Sequence, residues 1–163
     1  MITLTIRNTD INDLNRIAEI EALCFPPAEK ASFDSLEKRI KAFPESFFVA
    51  ESQGALIGFI NGCGTNSSVI YDELFSDITC HDPQGKILAI FGLDVIPEYR
   101  KKGIATQLME HFILAAKKNN KEKVILTCKD HLVAYYESFG FINNGLSGST
   151  HGNARWFDMT LEL

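Results

Sequence analysis

The spacing of apolar positions along the chain changes period several times, and each change marks an element. Residues 3–7 alternate like a short strand. Asn8, Thr9 and Asp10 then supply capping residues for a helix carrying Ile11, Leu14, Ile17 and Ala18 at helical spacing. Pro26 and Pro27 end that helix by removing donors and pushing their predecessors out of helical geometry. A second helix is predicted from Ser32, with Phe33, Leu36, Ile40 and Phe43 on one face and Pro44 as its stop. Residues 47–51 and 55–63 are apolar runs separated by Ser52, Gln53 and Gly54, the pattern of a β-hairpin.

Residues 64–68 form a polar loop, and the stretch from there to Gly85 predicts little regular structure beyond one or two helical turns. Residues 87–95 are nearly continuously apolar, as in a strand covered on both faces. Beyond a basic turn, Ala105, Leu108, Met109, Phe112, Ala115 and Ala116 repeat with helical spacing. A strand over 123–128, a short helix over 132–139 with Gly140 just past its end, and strands near 141–146 and 153–161 complete the pattern. In the last strand Phe157, Met159 and Leu161 share one side. No repeat, low-complexity tract or linker interrupts the chain, which predicts a single domain over residues 1–163.

Composition narrows the function classes. At 163 residues, 45% hydrophobic and 23% charged, the chain has the make-up of a soluble globular protein. A net charge of −5 argues against nucleic acid or anionic membrane as partner and suits a cationic or amine ligand. No segment approaches the roughly 18 apolar residues of a membrane span. The first residues, Met1-Ile2-Thr3-Leu4-Thr5-Ile6-Arg7, do not read as a leader, so a cytoplasmic location is expected. Cys24, Cys63, Cys80 and Cys128 are widely spaced without a C-x-x-C pair, which predicts reduced thiols and no metal site. The basic run 117–123 is expected to be a solvated helix end.

The chemistry is most legible between the strand at 87–95 and the following helix. Arg100, Lys101, Lys102 and Gly103 lie where a helix begins, so free backbone N–H groups and the helix dipole favour an anion there. The cations add to that field, and Gly103 lets backbone approach a diphosphate without a Cβ in the way.

The string Arg100-Lys101-Lys102-Gly103-Ile104-Ala105, preceded by Leu93-Asp94-Val95-Ile96-Pro97, resembles the coenzyme A signature of the GNAT acyltransferases. A second stretch, in which Tyr136 precedes Gly140-Phe141, is similar to the tyrosine signature of the same family. The resemblance covers essentially the whole chain. It implies the GNAT fold, an α/β (α+β) arrangement of a mixed, mostly antiparallel twisted sheet flanked by helices. It also implies acetyl-CoA as cosubstrate with no metal. The pantetheine arm would pair with the backbone of Leu93, Asp94 and Val95. The pyrophosphate would rest at Arg100, Lys101, Lys102, Gly103, Ile104, Ala105 and Thr106. The Asp94 side chain is expected to have only a surface or loop partner.

By the same resemblance Tyr136, rather than Tyr135, sits beside the cosubstrate sulfur and protonates the departing thiolate. Cys24-Phe25-Pro26, Asp72-Glu73-Leu74 and the spacing from Cys128 to Phe141 look most like the arylalkylamine N-acetyltransferases. This implies a small primary amine as acceptor, reached by direct transfer in a ternary complex. A protein N-terminus or lysine is the alternative acceptor, and a noncatalytic acyl-CoA sensor the alternative class. A homodimer is compatible with the sequence. The animal members of that branch carry two histidines where this chain has Ala89 and Phe91, so no base is evident. Activity is then expected to rise with pH without a histidine-like step near about pH 6.5. Of His81, His111, His131 and His151, the one beside Asp130, His131, is the first to test.

Overall fold

The computed structural model describes residues 3–163; Met1 and Ile2, where the stretch read for a leader begins, lie outside the described residues. Seven strands, β1 (Thr5–Asn8), β2 (Phe47–Ser52), β3 (Ala55–Thr65), β4 (Ile87–Val95), β5 (Lys123–Cys128), β6 (Ile142–Leu146) and β7 (Phe157–Glu162), form a sheet of order β1-β2-β3-β4-β5-β7-β6. β4 and β5 run parallel, while β1–β2, β2–β3, β5–β7 and β6–β7 are antiparallel. The helices are α1 (Leu14–Cys24), α2 (Phe33–Ala42), α3 (Asp72–Ser76), α4 (Ile104–Lys118) and α5 (Val133–Glu137). This is the mixed, mostly antiparallel α+β architecture expected. Two compact units share the strands: the chain up to Gly62 with Gly92–Ala115, and Cys63–Phe91 with Ala116–Leu163.

In the first unit the β2–β3 hairpin closes through Gln53 (φ 54°) and Gly54 (φ 79°), two consecutive left-handed residues whose twist matches that of the strands. Asp10 caps the turn before α1 by accepting from Asn12 N, and Asp13 returns the bond to Asp10 N. Arg7 reaches Asp13 with two nitrogens at 2.9 Å. Burial pushes the Asp13 carboxyl up, but the bonds from Arg7 and the Asp10 amide outweigh it and hold the group below the usual carboxylate range. Ile17, Ile20, Leu36, Phe43, Phe47 and Phe59 are fully buried. Phe47 and Phe59 lie 5.6 Å apart between ring centroids. Phe48, on the other face of β2, meets His111 and Phe112 of α4 edge to face. Phe33 departs from the expected helix face: it is 50% exposed, and Arg39 is buried on α2 instead.

In the second unit β5 lies between β4 and β7, and Val124, Ile125, Leu126 and Met159 are buried there. β7 intervenes between β5 and β6, an order that no local pattern encodes. β3 continues past the expected end at Cys63 to Thr65. Gly85 lets the next loop lie against that strand, since a Cβ there would meet Thr65 backbone atoms at 2.5–2.7 Å. The basic run after α4 is less solvated than expected, because Lys121 Nζ donates to the carbonyls of Pro83 and Gly85. The helix expected over 132–139 is only α5, preceded by a 3-10 turn at Asp130–Leu132, and Gly140 follows at φ 103°. The last strand begins later than expected, at Phe157. Gly152 and Asn153 both take left-handed φ in the 3-10 turn His151–Asn153 and bend the chain before it.

Candidate active site

The basic turn is built from the end of β4. Pro97–Tyr99 form a 3-10 turn, after which Arg100 is extended and its Nε donates to the carbonyl of Val95 at 2.9 Å. Lys101 and Gly103 then take positive φ, 61° and 81°, and α4 starts at Ile104 with Gln107 N bonded to the Gly103 carbonyl. An α-helix cannot pair its own first-turn amides with carbonyls four residues back, so the start of α4 carries the positive end of its dipole. A Cβ on Gly103 would have nothing within 4 Å, so the turn opens there onto free space. Lys102 lies over the Tyr99 ring at 5.7 Å, and Arg100 Nη2 reaches the Cys24 sulfur at 3.6 Å. The turn therefore has the shape and charge of an anion cradle.

Asp94, in the strand leading to that turn, corrects the expectation of a surface or loop partner. Its side chain is fully buried with Glu21 of α1, Arg39 of α2 and Asn61 of β3, which are 6%, 5% and 1% exposed. A Cβ on Gly92 would lie 3.0 Å from Asp94 Oδ1, 3.4 Å from Asn61 Nδ2 and 3.9 Å from Glu21 Oε1, so the three groups converge on one point. Arg39 Nη1 donates to Asn61 Oδ1 at 3.3 Å, and Glu21 Oε2 accepts from Ala31 N at 2.8 Å. Neither Asp94 oxygen accepts a hydrogen bond. Burial first, and then the neighbouring Glu21 charge, push the Asp94 carboxyl well above the usual range, against the smaller opposing pull of Arg39. The sequence carried the signal in plain view: an acid inside an otherwise apolar strand. Its partners come from three other elements and had none.

Tyr136 lies on α5 in the second unit and is half-buried. Its ring stands edge to face against Tyr135 at 5.3 Å and Phe141 at 6.0 Å. The Tyr136 carbonyl accepts from Phe139 N at 3.0 Å, so the turn into Gly140 fixes the backbone that carries the ring. Tyr135 packs instead on Phe139 at 5.2 Å. The two tyrosines thus have different surroundings, Tyr136 tied to the start of the Phe141 segment.

Among the histidines, His131 is exposed and His111 packs in α4 against Phe48, while His81 Nδ1 accepts from Gly64 N. His151 alone stacks in an aromatic set, parallel to Phe75. The four cysteines are free thiols; burial pushes Cys24 up despite Arg100, and Cys128 up to about 11, away from thiolate chemistry at neutral pH. Among the described residues no group of three or more His, Cys, Asp and Glu could hold a metal, and no helix is long and apolar enough to cross a membrane.

A parallel β4–β5 pair is joined here to a long helix through a left-handed basic turn. Residues 14–141 match the model of the acetyltransferase (GNAT) family, and the chain belongs to that family. It is 34% identical over 125 residues to an uncharacterised N-acetyltransferase, YkwB of Bacillus subtilis, covering 65% of this chain and 52% of the relative. An N-alpha-acetyltransferase of Saccharolobus solfataricus is 27% identical, covering 84% of this chain and 79% of its own. The serotonin N-acetyltransferase of Mesocricetus auratus is 24% identical, covering 80% and 62%. The GphF GNAT-like decarboxylase, solved with isobutyryl-CoA, superposes with a TM-score of 0.84 at 20% identity over 97% of this chain and 98% of its own. The chain spans between 25% and 52% of the length of the first curated relatives it matches.

Proposed function

We propose that this chain transfers the acetyl group of acetyl-CoA to a small primary amine of the arylalkylamine kind, by direct transfer in a ternary complex. The observation that carries the reading is the turn from β4 into α4, where Lys101 and Gly103 hold left-handed backbone and Gly103 opens onto free space. The residues present fit acetyl-CoA. The backbone of Leu93, Asp94 and Val95 would pair with its pantetheine arm. The turn from Arg100 through Lys101, Lys102, Gly103, Ile104, Ala105 and Thr106 would hold its diphosphate by amides, dipole and cations.

When bound, the thioester supplies an activated acetyl carbon. Tyr136 then donates its hydroxyl proton to the leaving sulfur, so that a thiol rather than a thiolate departs. Hydrophobic contacts with Tyr135 and Phe141 hold the ring during that transfer. The net charge of −5 favours a cationic amine over a polyanion.

A second reading, transfer to a protein N-terminus, is favoured by the likeness to the archaeal N-alpha-acetyltransferase, which extends over most of both chains. An acceptor screen that measures CoA release with amines, polyamines, amino acids and peptides separates the two. Arylalkylamines should give the highest kcat/KM. A preference for peptides would overturn the acceptor assignment, and acetyl-CoA binding without CoA release to any acceptor would mark a noncatalytic sensor.

A further inference from the structure

Phe75, Phe91, His151 and Trp156 form a run of aromatic rings within the second unit. Phe75 and Phe91 lie 5.1 Å apart, Phe75 and His151 stack at 5.2 Å with ring planes 15° apart, and His151 and Trp156 lie 6.1 Å apart. All four are half-buried rather than enclosed. Phe91 is one of only two positions in β4 that keep solvent exposure, in a strand otherwise fully covered. The other is Leu93, two residues on and so on the same face of the strand.

The backbone that carries the imidazole is held from several sides. Asp72 of α3 accepts from Ser149 Oγ and from Thr150 N, and Ser149 Oγ in turn accepts from His151 N at 3.2 Å. Trp156 Nε1 donates to the His151 carbonyl at 2.8 Å. A loop of this length normally moves; here α3 and the indole pin it on both sides of His151. The stack engages the face of the imidazole, which leaves the chemistry of its in-plane nitrogens to hydrogen bonding. Among the charged groups of this region, Asp72 of α3 anchors the loop, Lys129 lies over the Trp156 ring at 5.8 Å, and the Arg155 guanidinium turns to Phe157 at 5.5 Å. The Ser149 hydroxyl above all, with Thr150 adding to it, keeps Asp72 below the usual carboxylate range although burial pushes the other way, so the loop is anchored on an anion at neutral pH.

An imidazole stacked among flat apolar rings, in a loop anchored on a carboxylate, is a site for an ammonium group attached to an apolar body. We infer that His151 is the proton acceptor for the amine: its imidazole takes a proton from the acceptor's ammonium while Phe75, Phe91 and Trp156 hold the acceptor's apolar part. The neutral amine nitrogen then forms a C–N bond to the acyl carbon of the thioester and the C–S bond breaks. The nitrogen's second proton goes to the departing sulfur by way of the Tyr136 hydroxyl, and His151 returns its proton to water. On this proposal the rise of activity with pH would carry a histidine step that the sequence did not lead one to expect, and His151 joins His131 as a histidine to test.

The inference rests on the acetyltransferase reading, and the experiment separates the two. kcat/KM for acetyl transfer to the best amine is measured against pH for the wild type, His151→Gln and His131→Gln, with acetyl-CoA affinity by calorimetry as the folding control. The wild type should lose activity as the medium is acidified, and His151→Gln should abolish that pH step and lower kcat/KM by about 10²- to 10⁴-fold at unchanged acetyl-CoA affinity. His131→Gln should match the wild type. A His151→Gln enzyme that keeps the step and the rate overturns the inference while leaving the acetyltransferase reading intact. Where the wild type turns over no amine, that reading fails, and an NMR titration with phenethylamine decides the inference: the His151 ring resonances should shift on addition, and unmoved resonances overturn it.

Discussion

Asp94 and Glu21 face each other inside the first unit as two buried carboxyl groups, with the Asp94 oxygens accepting no hydrogen bond and burial holding a proton on Asp94. A protonated Asp94 has a hydrogen to give, and Glu21, which already accepts from Ala31 N, is the carboxylate beside it. The two carboxyl groups bring the strand that leads to the basic turn together with the end of α1. Leaving both groups ionised would place two like charges in the same dry space.

Stability should therefore fall as pH rises. Below the usual carboxylate range both the folded and unfolded chains hold the Asp94 proton, and nothing is lost. Above it the unfolded chain releases the proton while the folded chain retains it, so each further rise favours unfolding until the folded group ionises as well. Asp94→Asn, which always has an N–H to donate to Glu21, should flatten this dependence. Urea midpoints for both proteins from acid to mildly alkaline pH are the measurement; parallel curves would show that Asp94 does not carry the effect.

Gly103→Glu should remove most acetyl-CoA affinity, because it forces a side chain and a negative charge into the open space at φ 81°. Gly103→Asn, which tolerates left-handed backbone and is uncharged, should lose less. Calorimetry giving equal affinities for Gly103→Glu and wild type would reject this as the diphosphate cradle.

Tyr136→Phe keeps the ring contacts with Tyr135 and Phe141 and removes only the hydroxyl. Single-turnover acetyl transfer should slow by about 10²- to 10⁴-fold with acetyl-CoA affinity little changed, while Tyr135→Phe should be nearly neutral. A reversed pair of results would assign the acid to Tyr135, and no effect from either would assign it to neither.

Gly85→Ala should destabilise the fold by about 1–3 kcal/mol, because the new methyl meets Thr65 backbone that has no rotamer with which to retreat. Thermal unfolding of the variant checks this; an unchanged midpoint would mean that the loop moves aside freely.

The local patterns carried far. Periodicity located β4 and β5 to the residue, because continuous apolar runs bounded by polar turns have few other ways to bury themselves. The prolines placed the end of α1, and the glycine and cations marked the left-handed turn into α4, since a helix start and a left-handed residue are properties of a few consecutive positions. The tyrosine helix was found but overdrawn, its five residues extended by turns whose hydrogen bonds imitate a helix. What the chain alone could not reveal depends on residues far apart in sequence. The insertion of β7 between β5 and β6, the meeting of Glu21, Arg39, Asn61 and Asp94, and the stacking of His151 on Phe75 are each decided by tertiary packing. A buried carboxyl shows in the sequence only as an acid out of place, and its neighbours become known when folding removes water from around it.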